Sequence, residues 1–354
     1  MSASPRAVVV GTGLIGGSIG LGLRTRGWHV TGRDADRSRA ERALALGALD
    51  AIGDDPLADV TFVCTPVLSI PDEARAALAA GPGLVTDVGS VKGPVAAAVA
   101  DPRFVGGHPM AGSEQEGVDG ADADLFEGAT WVLTPTVDTN PDAFARIRTI
   151  VTSLGADVVS LPPERHDQLV ATVSHVPHLA AATLMALAAD GAVEHAALLR
   201  LAAGGFRDMT RVAAGSPAIW PDICAENREA IVGSLDRLLT ALAAMRQLVA
   251  SGDRDGLLVE LERARAARMN LPARVVVPEE LAELRVPVPD RPGVLAEVTN
   301  LLGELGVNIV DLEIAHSAEG SRGVLVMMVR REAADGVRAA LAARGYRPSS
   351  RVLG

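Results

Sequence analysis

A single imidazole stands in the run Gly106-Gly107-His108-Pro109-Met110-Ala111-Gly112-Ser113-Glu114. Glycines and a proline at that density exclude a helix interior, so His108 is expected on a loop of unusual backbone shape. Histidine titrates near neutral pH, and such a residue is either an ordinary surface group or an acid or base in a reaction. Three further clusters carry side chains suited to chemistry. His166-Asp167 and Ser174-His175-Val176-Pro177-His178 set imidazoles on a helix started or broken at Pro177. Gly204-Gly205-Phe206-Arg207-Asp208-Met209-Thr210-Arg211 follows a flexible pair with two guanidiniums, and Trp220 comes soon after Pro217. His175 and His178 share a helical face, but no H-E-x-x-H run or third ligand accompanies them, and no metal is expected.

The elements that must position these groups begin with Arg6-Ala7-Val8-Val9-Val10, a β-branched strand run. Gly11-Thr12-Gly13-Leu14-Ile15-Gly16-Gly17-Ser18 follows at once, and a helical pattern continues through Arg24. Strand, G-x-G-x-x-G and helix in that order form a dinucleotide-binding fingerprint. Gly11 makes the tight turn, Gly13 lets backbone approach a pyrophosphate, and Gly16 lets the helix pack on the strand. Leu14 and Ile15 fall at the helix start, whose free N–H groups and dipole hold phosphate. Asp34, 23 positions after Gly11, closes the strand run Trp28–Gly32 and its Arg33. An acid there accepts from the adenosine ribose hydroxyls and repels a 2′-phosphate, which favours NAD over NADP. Arg33 beside it offers the opposite preference.

Val60–Cys64 and Leu84–Val88 are further strand runs separated by helical stretches. That alternation implies a parallel sheet, right-handed crossovers and a ligand at the strand C-terminal ends. Thr65-Pro66, Gly89-Ser90-Val91-Lys92 and the His108 run each follow a strand and are expected to meet at that edge, with Thr65 and Pro66 on the cofactor. Ser90 is either a helix N-cap or, near a nicotinamide, a group that orients an imidazole. Trp131–Thr134, the helix Pro141–Leu154 and Asp157–Ser160 close this domain.

Residues 1–162 are thus expected to form a Rossmann-type doubly wound α/β domain. From 163 to 272 the pattern is helical, and Ile231, Leu235, Leu238, Leu239, Leu242, Met245 and Val249 make an apolar face suited to a homodimer. Leu284–Val288, Val294–Leu305, Val307–Ala315, Gly323–Val329, Ala333–Arg344 and Tyr346–Leu353 then read as β-α-β-β-α-β, a ferredoxin-like α+β domain over 283–354 reached by the linker Arg274–Glu283. A net charge of -11 without a Lys/Arg-rich run argues against nucleic acid. Cys64 and Cys224 form no CxxC pair and suit a reducing cytoplasm. Neither a signal-peptide pattern nor an uninterrupted apolar run of about 18 residues is evident, so no membrane span is expected.

Taken in order, the fingerprint with Gly-Leu-Ile-Gly-Gly-Ser, Asp87-Val88-Gly89-Ser90-Val91-Lys92, Gly107 to Glu114, Ser174 to His178 and Gly205 to Arg211 resemble prephenate dehydrogenase of tyrosine biosynthesis. The resemblance covers roughly residues 6 to 270. It implies NAD-dependent oxidation of prephenate at the ring carbon bearing the 4-hydroxyl, with loss of the ring carboxylate and formation of 4-hydroxyphenylpyruvate. His108 matches the histidine at that hydroxyl, and Ser90 the serine that orients it. Arg211 matches the arginine that binds substrate carboxylate. His178 and Trp220 match pocket residues, while Glu114, Asp167 and Asp208 match acids of an ionic network that gates it.

Asp290-Arg291-Pro292-Gly293-Val294-Leu295 and Leu305-Gly306-Val307-Asn308-Ile309 resemble an ACT domain, an amino-acid-binding regulatory module. That resemblance implies a zwitterion held around Gly293 and Asn308, with L-tyrosine as the expected regulator. Arogenate, with an amino group in place of the keto group, is the rival substrate. A silent amino-acid sensor would have lost His108, Ser90 or Arg211, and a β-hydroxyacid dehydrogenase would need a lysine base after the nucleotide domain. Lys92, the only lysine, lies inside that domain.

Overall fold

β-Branched residues at the head of the chain form the central strand of an eight-stranded sheet. A computed structural model describes residues 4–112, 115, 117–194, 198–270, 281–289, 291–316 and 322–352. Its first domain runs β1 (Arg6–Val10), α1 (Leu14–Thr25), β2 (His29–Arg33), α2 (Arg37–Ala45), β3 (Ala51–Ile52), β4 (Val60–Val63), α3 (Ile70–Ala80) and β5 (Leu84–Asp87). α4 (Gly93–Ala98), β6 (Phe104–Pro109), β7 (Thr130–Thr134), α5 (Pro141–Ser153) and β8 (Asp157–Ser160) complete it. Strand order is β3-β2-β1-β4-β5-β6-β7-β8, parallel through β6, with β7 antiparallel to β6 and β8 parallel to β7. The order reverses between β1 and β4, the switch point where such sheets open a ligand crevice. Val9, Ile19, Leu23, Phe62, Trp131, Leu133 and Ile147 are fully buried in its core, each contributing about 1.5–3 kcal/mol.

Two expectations change here. His108 lies on no loop: it is in β6, opposite Val132 of β7. The glycines before it serve close packing. A Cβ on Gly106 would stand 2.4 Å from Thr134 Oγ1, and one on Gly107 2.7 Å from the Asp87 carbonyl oxygen. Nor is Ser90 a helix cap, because α4 starts at Gly93 with Lys92 in the cap position.

The helical region comprises α6 (Pro163–Val170), a π turn (Ala171–His175), α7 (Val176–Glu194), α8 (Gly204–Thr210), α9 (Trp220–Glu226), α10 (Arg228–Ser251) and α11 (Arg254–Met269). His166 and His175 would sit about half a turn apart around an unbroken α-helix. The wider π turn changes that phase, and both imidazoles are buried. By length and composition alone Pro163–Gly191 could cross a membrane, yet its first turns carry Glu164, Arg165, His166 and Asp167. The chain separates into two compact units, Met1–Leu184 with Val212–Leu257, and Met185–Arg211 with Leu258–Gly354.

Within the second unit, β9 (Leu281–Pro289), α12 (Val294–Glu304), β10 (Asp311–His316), β11 (Arg322–Arg330), α13 (Arg331–Ala343) and β12 (Ser349–Val352) form an antiparallel sheet of order β10-β11-β9-β12. This is the ferredoxin-like arrangement the pattern implies. Ala282, Leu284, Val286 and Val288 alternate onto one buried face of β9. Of the expected linker 274–283, β9 claims the end from Leu281, and 274–280 lie outside the described residues.

Candidate active site

At the C-terminal edge of β1, Gly11 has φ +93° and a Cβ there would meet the Cys64 carbonyl oxygen at 2.6 Å, so only glycine fits. A Cβ on Gly16 would lie 2.0 Å from the Gly11 carbonyl oxygen, which is the close helix–strand packing the fingerprint requires. Gly13, by contrast, faces open space, and α1 starts there with no side-chain cap on its N–H groups. Asp34 Oδ2 accepts from Thr12 N at 2.8 Å, which pins the carboxylate beside the fingerprint. Arg33 is committed to Asp54 and Glu73. Thr65 Oγ1, just past β4, is buried with no hydrogen-bond partner among the described residues. Such an orphan is costly unless a ligand meets it. Leu14 and Ile15 open α1, and Pro66 caps the turn after β4.

On β6, His108 Nδ1 lies 2.9 Å from His166 Nε2, with the two rings edge to face. His166 Nδ1 lies 2.8 Å from Asp167 Oδ1. Asp167 also accepts Lys92 N on Oδ1 and Gly93 N on Oδ2, both at 2.8 Å, so its carboxylate is the acceptor throughout. His166 therefore carries its proton on Nδ1 and offers Nε2 to His108 Nδ1–H. The lone pair of His108 Nε2 is left outward of this chain. Burial first, then His166, Lys92 and His175, holds His108 well below its ordinary pKa of 6.5. At neutral pH it is an uncharged base.

Asn227, at the head of α10, donates from Nδ2 to the Asp167 carbonyl at 2.9 Å and lies 3.2 Å from His175 Nδ1. Burial pulls His175 down to about 4 against the opposite pull of Asp167, and its Nε2 has no partner among the described residues. His178 stacks on Trp220 with centroids 3.7 Å apart, and burial lowers its pKa too. Ser90, half-buried after β5, makes no hydrogen bond among the described residues. Arg211 and Asp208 are exposed and belong to the second unit. Glu114 lies outside the described residues. Gly293 caps α12 with φ +86°, and Asn308 is exposed ahead of β10.

The structure thus brings together His108, His166, Asp167, Lys92, Asn227 and His175. In the sequence His166 stands out as an imidazole of the His166-Asp167 cluster and Lys92 as the only lysine, neither with a role beside His108, and Asn227 carries no signal there at all. A parallel sheet with a glycine fingerprint at its switch point, and an imidazole held as a neutral base on a nearby strand, define a nucleotide-dependent oxidoreductase of the Rossmann class.

Residues 19–160 match the prephenate dehydrogenase nucleotide-binding domain, 162–263 the prephenate dehydrogenase dimerization domain and 282–345 the ACT domain. Prephenate dehydrogenase of Bacillus subtilis (strain 168) is 35% identical over 335 residues, 90% of each chain. Among solved structures, Synechocystis arogenate dehydrogenase aligns with TM-score 0.65 and 33% identity over 74% of this chain and 98% of that one. Prephenate dehydrogenase from A. aeolicus, in complex with hydroxyphenyl propionate and NAD+, aligns with TM-score 0.72 and 28% identity over 77% and 99%. The chain belongs to the prephenate dehydrogenase family.

Proposed function

We propose that this chain oxidises and decarboxylates prephenate to 4-hydroxyphenylpyruvate with NAD. The observation that carries the reading is the His108–His166–Asp167 chain, which leaves His108 Nε2 unprotonated and uncharged. NAD supplies a hydride acceptor at the sheet edge. Gly11, Gly13, Leu14, Ile15, Gly16, Asp34, Thr65 and Pro66 would hold it, and the uncapped α1, the open face of Gly13 and the orphan Thr65 hydroxyl suit that role. With Arg33 tied to two carboxylates, Asp34 sets the preference for NAD over NADP.

His108 takes the proton of the ring hydroxyl as its carbon loses hydride. Departure of the ring carboxylate as carbon dioxide returns that bond's electron pair to the ring, and the phenolate oxygen recovers the proton from His108. Ser90 orients the imidazole, and Arg211 binds a substrate carboxylate through its planar fork. His178 and Trp220 wall the pocket, with Glu114 in the network that gates it. Arogenate is the second reading, supported by the likeness to an arogenate dehydrogenase.

The active form is a cytoplasmic homodimer that meets neither membrane nor nucleic acid. Leu239, Leu242 and Val249 on α10 stand 54–64% exposed in the single chain, an apolar face that a second copy would cover. L-Tyrosine binds at the ACT domain through Gly293 and Asn308 and inhibits. The test is NADH formation with prephenate, compared with arogenate and with NADP. His108→Asn is expected to lower turnover about 10² to 10⁴-fold with NAD affinity kept. Unchanged turnover in that variant removes His108 from the chemistry.

A further inference from the structure

Lys92 is the only lysine of the chain, and its side chain is 1% exposed against an Asp87 at 0%. Its ammonium donates to Asp87 Oδ2 and, at 2.8 Å, to the Gly107 carbonyl oxygen. Asp87 in turn accepts Gly107 N at 3.1 Å and Gly89 N at 2.9 Å. Both main-chain groups of Gly107 therefore end on one ion pair. His108 and Ser90 are the residues that follow Gly107 and Gly89.

Three glycines wrap this pair. A Cβ on Gly89 would stand 3.0 Å from Asp87 Oδ2, one on Gly106 3.6 Å from Lys92 Cδ, and one on Gly107 2.7 Å from the Asp87 carbonyl oxygen. Gly89 leaves room for the Asp87 carboxylate, while at Gly106 and Gly107 a Cβ would first meet Thr134 Oγ1 and the Asp87 main chain, so the two charges are enclosed within closely packed backbone. Stability is a poor reason for that, since desolvation largely offsets the attraction within a buried pair. Enclosure also keeps Lys92 Nζ from any substrate, so it is no base.

The geometry points to the Asp87–Lys92 pair as the positioning unit of the reaction centre, holding His108 and Ser90 in one rigid frame. This rests on His108 being the base of the proposed reaction. Among the described residues, the charged and titratable groups around His108 are His166, Asp167 and His175 from the α6–α7 segment, and Asp87 and Lys92 from β5 and its loop. Among them the Lys92 cation disfavours protonation of His108.

Lys92→Met removes the cation and both of its hydrogen bonds. We expect kcat to fall about 10²-fold, the loss that a misplacement of about 1 Å causes, with NAD affinity unchanged. The rising limb of the pH–rate profile is expected to move to higher pH, because the cation beside His108 is gone. Full activity overturns the proposal, and so does lost activity with the limb in place, which marks mere structural support.

Should the unpaired Asp87 carboxylate prevent folding, Asp87→Asn with Lys92→Met removes both charges together. There the same loss in kcat is expected, again with the limb at higher pH because the cation beside His108 is gone, and wild-type kcat or an unmoved limb overturns the proposal. The unaltered protein gives a further readout. Isotope-labelled lysine yields one side-chain resonance, which should inflect at the pH of the rate limb; a flat resonance across that range overturns the frame. His108→Asn separates the two ideas. If it keeps its turnover, the base assignment has failed; if it loses turnover while Lys92→Met stays active, only the role of the pair has failed.

Discussion

Nε2 of His166 stands 2.9 Å from Nδ1 of His108, although 58 positions of chain separate them. Because His166 donates its Nδ1–H to Asp167, its Nε2 can only accept from His108, and this sets which nitrogen of His108 is basic. Protonation state in this site is therefore decided by a residue that need not touch substrate.

Asp167→Asn tests that relationship. An amide can donate to His166 Nδ1, which turns His166 round to donate to His108 and places the His108 proton on Nε2, the wrong nitrogen. A wrong tautomer costs up to about 10⁴-fold in comparable relays, and we expect kcat to fall by about 10² to 10⁴ with NAD affinity little changed. Steady-state kinetics with a cofactor titration check it; wild-type turnover in the folded variant would falsify the relay.

The pH dependence has a definite sign. His108 must be neutral to act, and its pKa is depressed, so the rising limb of kcat/KM is expected below pH 6.5 and activity should be level above it. Stability follows the same direction. A histidine with a depressed folded-state pKa binds its proton more readily when unfolded, so stability present above about 6.5 is lost as pH falls. For His175 the window runs from that value down to about 4. Urea unfolding at successive pH values should show midpoints dropping across the window, with a shallower drop in His175→Gln. Equal slopes for the two proteins would remove His175 as a source.

Asp34 should control cofactor choice. Asp34→Ala removes a charge-assisted acceptor, worth about 1.5–3 kcal/mol, so KM for NAD is expected to rise about 10 to 100-fold. KM for NADP should stay poor, because Arg33 remains held by Asp54 and Glu73. Steady-state kinetics with each cofactor give the answer, and an unaltered KM for NAD would exclude Asp34 from the ribose contact.

Asn308→Ala should weaken L-tyrosine inhibition about tenfold, the effect of losing one good hydrogen bond to a charged group, without changing kcat in the absence of tyrosine. Inhibition curves for the two proteins check it. Superimposed curves would move tyrosine away from the ACT domain.

Much of the architecture was legible in local pattern. Arg6–Val10, the fingerprint and Asp34 declare a strand, a phosphate turn and a ribose acceptor because each depends on residues within about 30 positions of one another. The β-α-β-β-α-β order of the last domain was legible for the same reason, since strand and helix periods are local properties. Ordered motifs likewise singled out His108 and the Trp220–His178 neighbourhood.

What sequence could not decide was what each glycine and each charge would meet. Gly106 and Gly107 read as part of a loop, and only the pairing of β5, β6 and β7 made them strand residues pressed against Asp87 and Thr134. His166 became the partner of His108 when α6 reached β6, and Lys92 became the grip on Gly107 when its side chain was enclosed beside Asp87. Residue types and spacing nominated the base. Long-range packing alone determined its tautomer, its charge and the frame that holds it, because those depend on partners that adjacency in the chain does not specify.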